Sequence, residues 1–196
     1  MCAIIQTNGL QRCPVLHSER LTFRPLVEAD VGKVLYFLSD YETVLLLTYA
    51  PWPYTLNDAI MWFEHVNRMC ANNVGCFWGI HDAEDALIGT AGLSLFPEHE
   101  KAELHYWLGR NYWGKGYGTE SAHRVICYAF EVCGIDRLEV NCMARNTRSQ
   151  RVIQKNHFVY EGTLRHYVNR FGIHEDVQFY SLLREEFQQD PLFQSE

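Results

Sequence analysis

Residues 107–119 read WLGRNYWGKGYGT, with Gly109, Gly114, Gly116 and Gly118 set among aromatics and one lysine, Lys115. Glycine leaves main-chain N–H groups open to a ligand that side chains would hold off, and ligands bound in this way are mostly anionic. The chemistry suggested is phosphate or pyrophosphate binding. Two phosphate-loop designs fail on single residues. Residues 109–115 fit the first part of G-x-x-x-x-G-K-[ST], but Gly116 then stands where a hydroxyl must hold magnesium. A G-x-G-x-x-G fingerprint beginning at Gly114 and Gly116 needs a third glycine where the chain has Thr119. What remains is a strand, a loop carrying G-x-G, and a helix whose N-terminal N–H groups face a pyrophosphate.

Charge points the same way. The 196-residue chain has a net charge of −7, which disfavours general binding to nucleic-acid backbones. Its distribution is uneven. Eight basic residues (Arg110, Lys115, Arg124, Arg137, Arg145, Arg148, Arg151, Lys155) and four acidic ones (Glu120, Glu131, Asp136, Glu139) leave +4 in residues 110–155 and −11 elsewhere. The glycine loop therefore lies in the one basic segment, which suits a small polyanion; a solvated basic face is the plainer reading of the same residues.

Other chemistries find little support. The seven cysteines (2, 13, 70, 76, 127, 133 and 142) form no C-x-x-C pair, and the nine histidines form no H-E-x-x-H. Glu98-His99-Glu100 and His174-Glu175-Asp176 read as solvated loops, so no metal is expected. The thiols read as reduced and mostly buried. No apolar run nears the roughly 18 residues of a membrane span, and the N terminus lacks a secretory pattern. A cytoplasmic protein with no membrane partner is the expectation.

The elements that must position the loop follow from periodicity. LTFRP is a short strand, and Val31, Val34, Leu35 and Leu38 mark a helix after it. YAPWPYTLND is an aromatic loop, with Thr55 or Asn57 capping the helix DAIMWFEHVNRM. CFWGI and ALIGTAGLSLF form a hairpin about HDAED. KAELHYWLG is a strand running into the glycine loop, and TESAHRVICYAFEVCG is an amphipathic helix stopped at Gly134. A strand RLEVNCMA, a helix over residues 147–155 and two strands, HFVYEGTLRHYV and EDVQFYSLL, complete the chain. The order β-α-α-β-β-β-α-β-α-β-β predicts an α/β (α+β) fold, a mixed sheet with helices on its faces. One domain over residues 1–196 is expected, with residues 1–15 as a flexible extension.

Four stretches together, SERLTFRPLVEAD, AELHYWL, the G-x-G loop and RLEVNCMARNTRSQRVIQKNHFVYEG, resemble the GNAT superfamily of acetyl-CoA-dependent N-acetyltransferases, in particular its RimJ/RimL-like branch. The resemblance covers roughly residues 16–184 and implies a mostly antiparallel central sheet with helices on both faces. It implies acetyl-CoA as co-substrate, with the pyrophosphate on Trp113, Gly114, Lys115, Gly116, Tyr117, Gly118 and Thr119. Trp113 replaces the Gln or Arg of the family's loop. The backbone of Tyr106, Trp107 and Leu108 is implied to meet the pantetheine arm and the thioester carbonyl; core packing is the alternative for those side chains.

The family's Asn-x-x-Ser falls on Asn146 and Ser149, and implies that Asn146 meets the amide-rich arm while Ser149 lies near the sulfur. The acidic Tyr that many relatives carry seven residues after the Asn is Ile153 here, which leaves Ser149 as the acid for the departing thiolate, or else a helix cap. His157 replaces a usual Gly. Glu103 and Glu139 match positions where relatives place a base, with Glu161 a third; each is equally readable as an outward residue of an alternating strand. Tyr49, Trp52 and Tyr54 are expected to wall the acceptor pocket. The implied acceptor is a primary amine, either a protein N terminus or a small amine such as an amino sugar, polyamine or antibiotic. A catalytically silent acyl-CoA-binding module is the rival reading. A homodimer is compatible with the resemblance.

Overall fold

The structure is a computed structural model and describes residues 13–194. Most of the expected N-terminal extension, and Cys2, lie outside the described residues. Cys13 is buried, and the Pro14 carbonyl accepts a 2.8 Å hydrogen bond from the Trp78 indole.

Eight strands form one sheet in the order β1-β2-β3-β4-β5-β6-β8-β7. They are β1 (Leu16–His17), β2 (Thr22–Pro25), β3 (Gly75–His81), β4 (Leu87–Phe96), β5 (Lys101–Leu108), β6 (Arg137–Met143), β7 (Val159–Arg170) and β8 (Ile173–Leu183). Every pairing is antiparallel except β5 with β6. Helices α1 (Val31–Leu38), α2 (Tyr41–Val44) and α3 (Leu56–Ala71) precede β3. The others are α4 (Tyr117–Glu131) after the glycine loop, α5 (Thr147–Lys155) after β6, and α6 (Arg184–Gln189) at the end.

Alternation along the strands divides the apolar residues between two cores. Trp78, Ile80, Ile88, Ala102 and Leu104 point to one face, where they meet Val125, Ile126 and Ala129 of α4. Phe77 and Leu87 point to the other, against Val31, Val34 and Leu38 of α1 and Val66 of α3. The sheet thus carries helices on both faces.

The expected elements are present, with differences at their ends. Thr55 caps α3, accepting from the Asp58 N–H while Asp58 accepts from the Thr55 N–H. The turn at residues 169–174 tightens to Phe171–Gly172, because β7 and β8 pair out to Arg170 and Ile173. β1, α2 and α6 have no counterpart in the sequence reading; at two, four and six residues they are too short to show a period. At His157, after α5, the backbone turns left-handed with φ 57°, the conformation for which glycine is favoured. The imidazole there lies 2.5 Å from Asp190, which ties the α5 terminus to the C-terminal segment.

Candidate active site

β5 and β6 pair only over three residues, Lys101–Glu103 against Arg137–Glu139, and then part. β5 continues to Leu108 and β6 to Met143, so a gap opens between them. Hydrogen-bond alternation decides which main-chain groups face it. The Gly109 N–H donates to the Ile88 carbonyl, which by register turns the odd-numbered residues of β5 toward β4. The even-numbered ones turn toward β6, as the Glu100 carbonyl does in accepting from Asp136 and Arg137. Tyr106 and Leu108 therefore present main-chain groups to the gap, and the Leu108 carbonyl is already taken by the Trp113 indole at 2.8 Å. Trp107, expected to contribute backbone there, has its main chain turned to β4. Its side chain packs on Phe37 at 6.1 Å between ring centroids.

At the end of the gap the glycine loop caps α4. Gly114 and Gly116 have φ of 75° and 86°, and Gly116 is the N-cap. A Cβ at Gly118 would come within 3.3 Å of Val152 on α5, so the small residue there lets two helices approach closely. The first-turn N–H groups of α4 start at this cap, and cations stand on aromatic rings around it. Lys115 lies 5.4 Å from the Tyr112 ring centroid, and Arg148 of α5 lies 5.0 Å from that of Trp113. Arg148 is a contributor the sequence reading did not single out; it supplies a cation beside the position where Trp113 departs from the family pattern. Arg20 lies over Tyr117 and is spent on Glu120, at 2.6 Å, and on the Lys115 carbonyl. Glycine conformation, open N–H groups and two cations fit a pyrophosphate.

Asn146 and Ser149 have different jobs. Asn146 is the N-cap of α5, its Oδ1 accepting from the Ser149 N–H at 3.1 Å. Ser149, three residues on, is released from capping, and its Oγ lies 2.7 Å from the Tyr106 hydroxyl. Ile153, where relatives carry tyrosine, is buried in the core. Burial raises the Tyr106 phenol well above its ordinary pKa, against the opposing effect of the Ser149 hydrogen bond. The Cys142 thiol beside Ser149 is likewise raised by burial, to about 11.

The odd-numbered side chains of β5 lie on the opposite face. Glu103 stands beside Glu139 in register, and its Oε1 accepts from Asn141 at 2.7 Å. Glu139 is bound by Lys101 at 2.9 Å and Arg137 at 2.8 Å. Burial raises its carboxyl pKa, but the two cations outweigh this and leave it low. Glu161 is held low by Arg137 and by Ser181. Two of the three candidate bases are thus bound to cations.

His105 follows Glu103 on the same face, with Nε2 2.9 Å from Ser94 Oγ and its ring stacked on Phe77. Desolvation lowers its pKa against the pull of Glu103, so the imidazole is kept neutral. Sequence reasoning missed it, although strand alternation alone puts it next to Glu103.

The aromatic loop divides. The Tyr49 phenol is raised by partial loss of solvent, then by nearby Tyr167 and Glu103, which puts all three within electrostatic reach. Trp52 meets Tyr41 edge-to-face at 5.0 Å between ring centroids, and Tyr41 in turn lies 6.0 Å from Phe171 at the tip of the β7–β8 hairpin. Tyr54 is buried among α1 and α3, where its ring joins the core beneath the loop. Among the described residues no cluster of three or more His, Cys, Asp or Glu could hold a metal. No helix there is long and apolar enough to cross a membrane.

The acetyltransferase (GNAT) domain model matches residues 20–159. An uncharacterized N-acetyltransferase, p20, of Bacillus licheniformis is 31% identical over 88% of this chain and 97% of its own. Among solved structures, RimL, a ribosomal L7/L12 α-N-protein acetyltransferase in complex with coenzyme A, superposes with a TM-score of 0.79 at 19% identity. It covers 88% of this chain and 99% of that one. A spermidine N-acetyltransferase from Vibrio cholerae, in complex with CoA and spermine, gives 0.77 at 20% identity, over 88% and 100%. With a parted β5–β6 pair, a glycine cap on α4 and a family model spanning most of its length, the chain belongs to the GNAT family of N-acetyltransferases.

Proposed function

We propose that this N-acetyltransferase uses acetyl-CoA to acetylate the N-terminal amine of a polypeptide by direct attack in a ternary complex. The observation that carries the reading is the placement of chemistry on the two sides of one gap. Glu103 lies on one face of β5 and the Tyr106–Ser149 pair on the other, and the strands part between them. An amine arriving from the Glu103 side loses its proton to that carboxylate, directly or through water. The sulfur departs on the Ser149 side. A main-chain N–H of β5 that faces the gap, from Tyr106 or Leu108, meets the charge growing on the thioester oxygen. Trp113 through Thr119, with Arg148, would hold the pyrophosphate.

The acceptor side supports a polypeptide. Tyr49 and Tyr167, 79% and 46% exposed and within electrostatic reach of Glu103, form an open aromatic surface on which an extended chain end can lie. RimL, which shares the fold, is described as acting on a protein α-amine. A polyamine is the second reading, since a carboxylate among aromatic rings also suits a flexible cation. The enzyme is proposed as cytoplasmic, in keeping with the absence of disulfides among the described cysteines.

The test is release of free CoA thiol from acetyl-CoA, with peptides of varied first residue, spermidine and glucosamine as acceptors, and product masses to identify the acetylated amine. Peptide acetylation with low KM supports the proposal. Preference for spermidine or glucosamine replaces it with the small-amine reading. Tight acetyl-CoA binding without thiol release from any acceptor means a silent acyl-CoA-binding module.

A further inference from the structure

The Tyr106 hydroxyl has no role so far beyond its neighbour, yet its geometry fixes the direction of a proton chain. A serine hydroxyl has one proton and two lone pairs, and a phenol likewise donates once. Tyr106 Oη has two acceptors in reach, Ser149 Oγ at 2.7 Å and the Ser149 carbonyl at 3.4 Å. The second distance is too long for an O–H···O bond, whose usual span is about 2.5–3.0 Å. If Ser149 donated to Tyr106, the phenol proton would have no good acceptor in a half-buried site packed against the core. The reverse arrangement satisfies both groups. Tyr106 donates to Ser149, and the Ser149 proton is left to point elsewhere.

We propose that Tyr106 is a positioning residue that orients the Ser149 hydroxyl as a hydrogen-bond donor to the CoA sulfur. The inference rests on the acetyl-transfer reading above. In the step it serves, the amine lone pair forms the C–N bond, the C–S pair leaves on sulfur, and the amine proton passes to Glu103. Ser149 keeps its own proton, because an alcohol is a weaker acid than a thiol, and stabilises the thiolate by hydrogen bonding. The released thiolate is protonated from solvent. Burial of Tyr106 keeps the phenol from ionising, so it cannot reverse the chain by becoming the acceptor.

The arrangement can be read without turnover. CoA itself, bound to the protein, is titrated by its thiolate absorbance in the parent, Tyr106→Phe, Ser149→Ala and the double variant. An oriented Ser149 donor favours the thiolate, so the bound thiol should titrate lower in the parent than in either single variant. Tyr106→Phe in the Ser149→Ala background should then add nothing, since Tyr106 acts only through Ser149. In parallel, kcat should fall about tenfold in Tyr106→Phe with KM for acetyl-CoA unchanged. An unchanged thiol titration in Tyr106→Phe, or a shift of equal size in both backgrounds, overturns the proposal. Failure of the parent to bind CoA would refute the acetyl-transfer reading, and this inference with it. Binding with no effect of Tyr106→Phe refutes only the role of Tyr106.

Discussion

Glu103 and Asn141 meet at 2.7 Å across the point where β5 and β6 part, a carboxylate oxygen accepting from the side-chain amide. The contact anchors one oxygen of Glu103 at the mouth of the gap with a neutral donor. Its register partner on β6, Glu139, is bound by two cations, Lys101 and Arg137. A base must give up its partner or hold a lone pair ready when the proton moves. The neutral contact of Glu103 leaves its second oxygen available for that, whereas Glu139 is committed to its cations on both oxygens.

Glu103→Gln should therefore lower kcat by about 100-fold near neutral pH, the usual scale for loss of a general base. Activity should recover in part at high pH, where the amine acceptor deprotonates unaided. KM for acetyl-CoA should stay within about twofold, because Glu103 faces away from the coenzyme loop. The check is the pH profile of kcat with a fixed acceptor. A profile superimposable on that of the parent removes Glu103 from the mechanism.

Glu139→Gln tests the other carboxylate and should act on stability. Its folded pKa is depressed, so its contribution is present above the ordinary carboxylate range and lost as pH falls through the folded value. The same holds for Glu161, which shares Arg137. Because the side chain is only partly shielded from solvent, the variant should lose about 1 kcal/mol near neutral pH. Its unfolding midpoint should also vary less with pH between about 3 and 6 than that of the parent. Urea unfolding at several pH values measures both; equal acid sensitivity in the two proteins would show that the pair carries no linked stability.

Ser149→Ala should lower kcat by about tenfold while leaving the dissociation constant of acetyl-CoA within about twofold, since the hydroxyl acts on charge that appears only as the C–S bond breaks. Asn146, not Ser149, caps α5, so helix stability should be retained. Asn146→Ala is the contrasting variant. It should cost about 1 kcal/mol of stability through the lost cap. Calorimetric titration with acetyl-CoA and thermal melting distinguish the two.

What could be seen in the sequence was local. The loop and α4 were legible because glycine spacing and a helical apolar period are written within residues 114–134, and the Asn-x-x-Ser spacing placed the start of α5. The ion-pair network was half visible, since Arg137 and Glu139 share a strand face at a spacing of two, but Lys101 arrives only through the β5–β6 pairing. Tyr106 and Ser149 are 43 positions apart, and their contact depends on how α5 settles over the parted strands. The burial of Tyr54 was not legible for a related reason. A loop rich in aromatics shows no period from which to tell a pocket wall from a residue that turns into the core.

The glycine loop gives the last prediction. Valine at Gly116 would combine a left-handed backbone of φ 86° with a β-branched side chain, so such a variant would mix folding strain with lost binding. Asparagine tolerates that conformation, and the nearest atom to a Cβ there is the flexible Arg20 Nη2 at 3.1 Å. Gly116→Asn should therefore fold with a melting temperature within a few degrees of the parent. Its side chain would stand at the cap of α4 and hinder approach of an anion to the first-turn N–H groups, weakening acetyl-CoA binding by at least about tenfold. That is about 1.4 kcal/mol. Lys115→Ala, by contrast, removes only an exposed cation, so its effect should be smaller and should fade as salt is raised. Calorimetry at two ionic strengths separates backbone from charge. Unchanged affinity in a folded Gly116→Asn protein would move the pyrophosphate away from this loop.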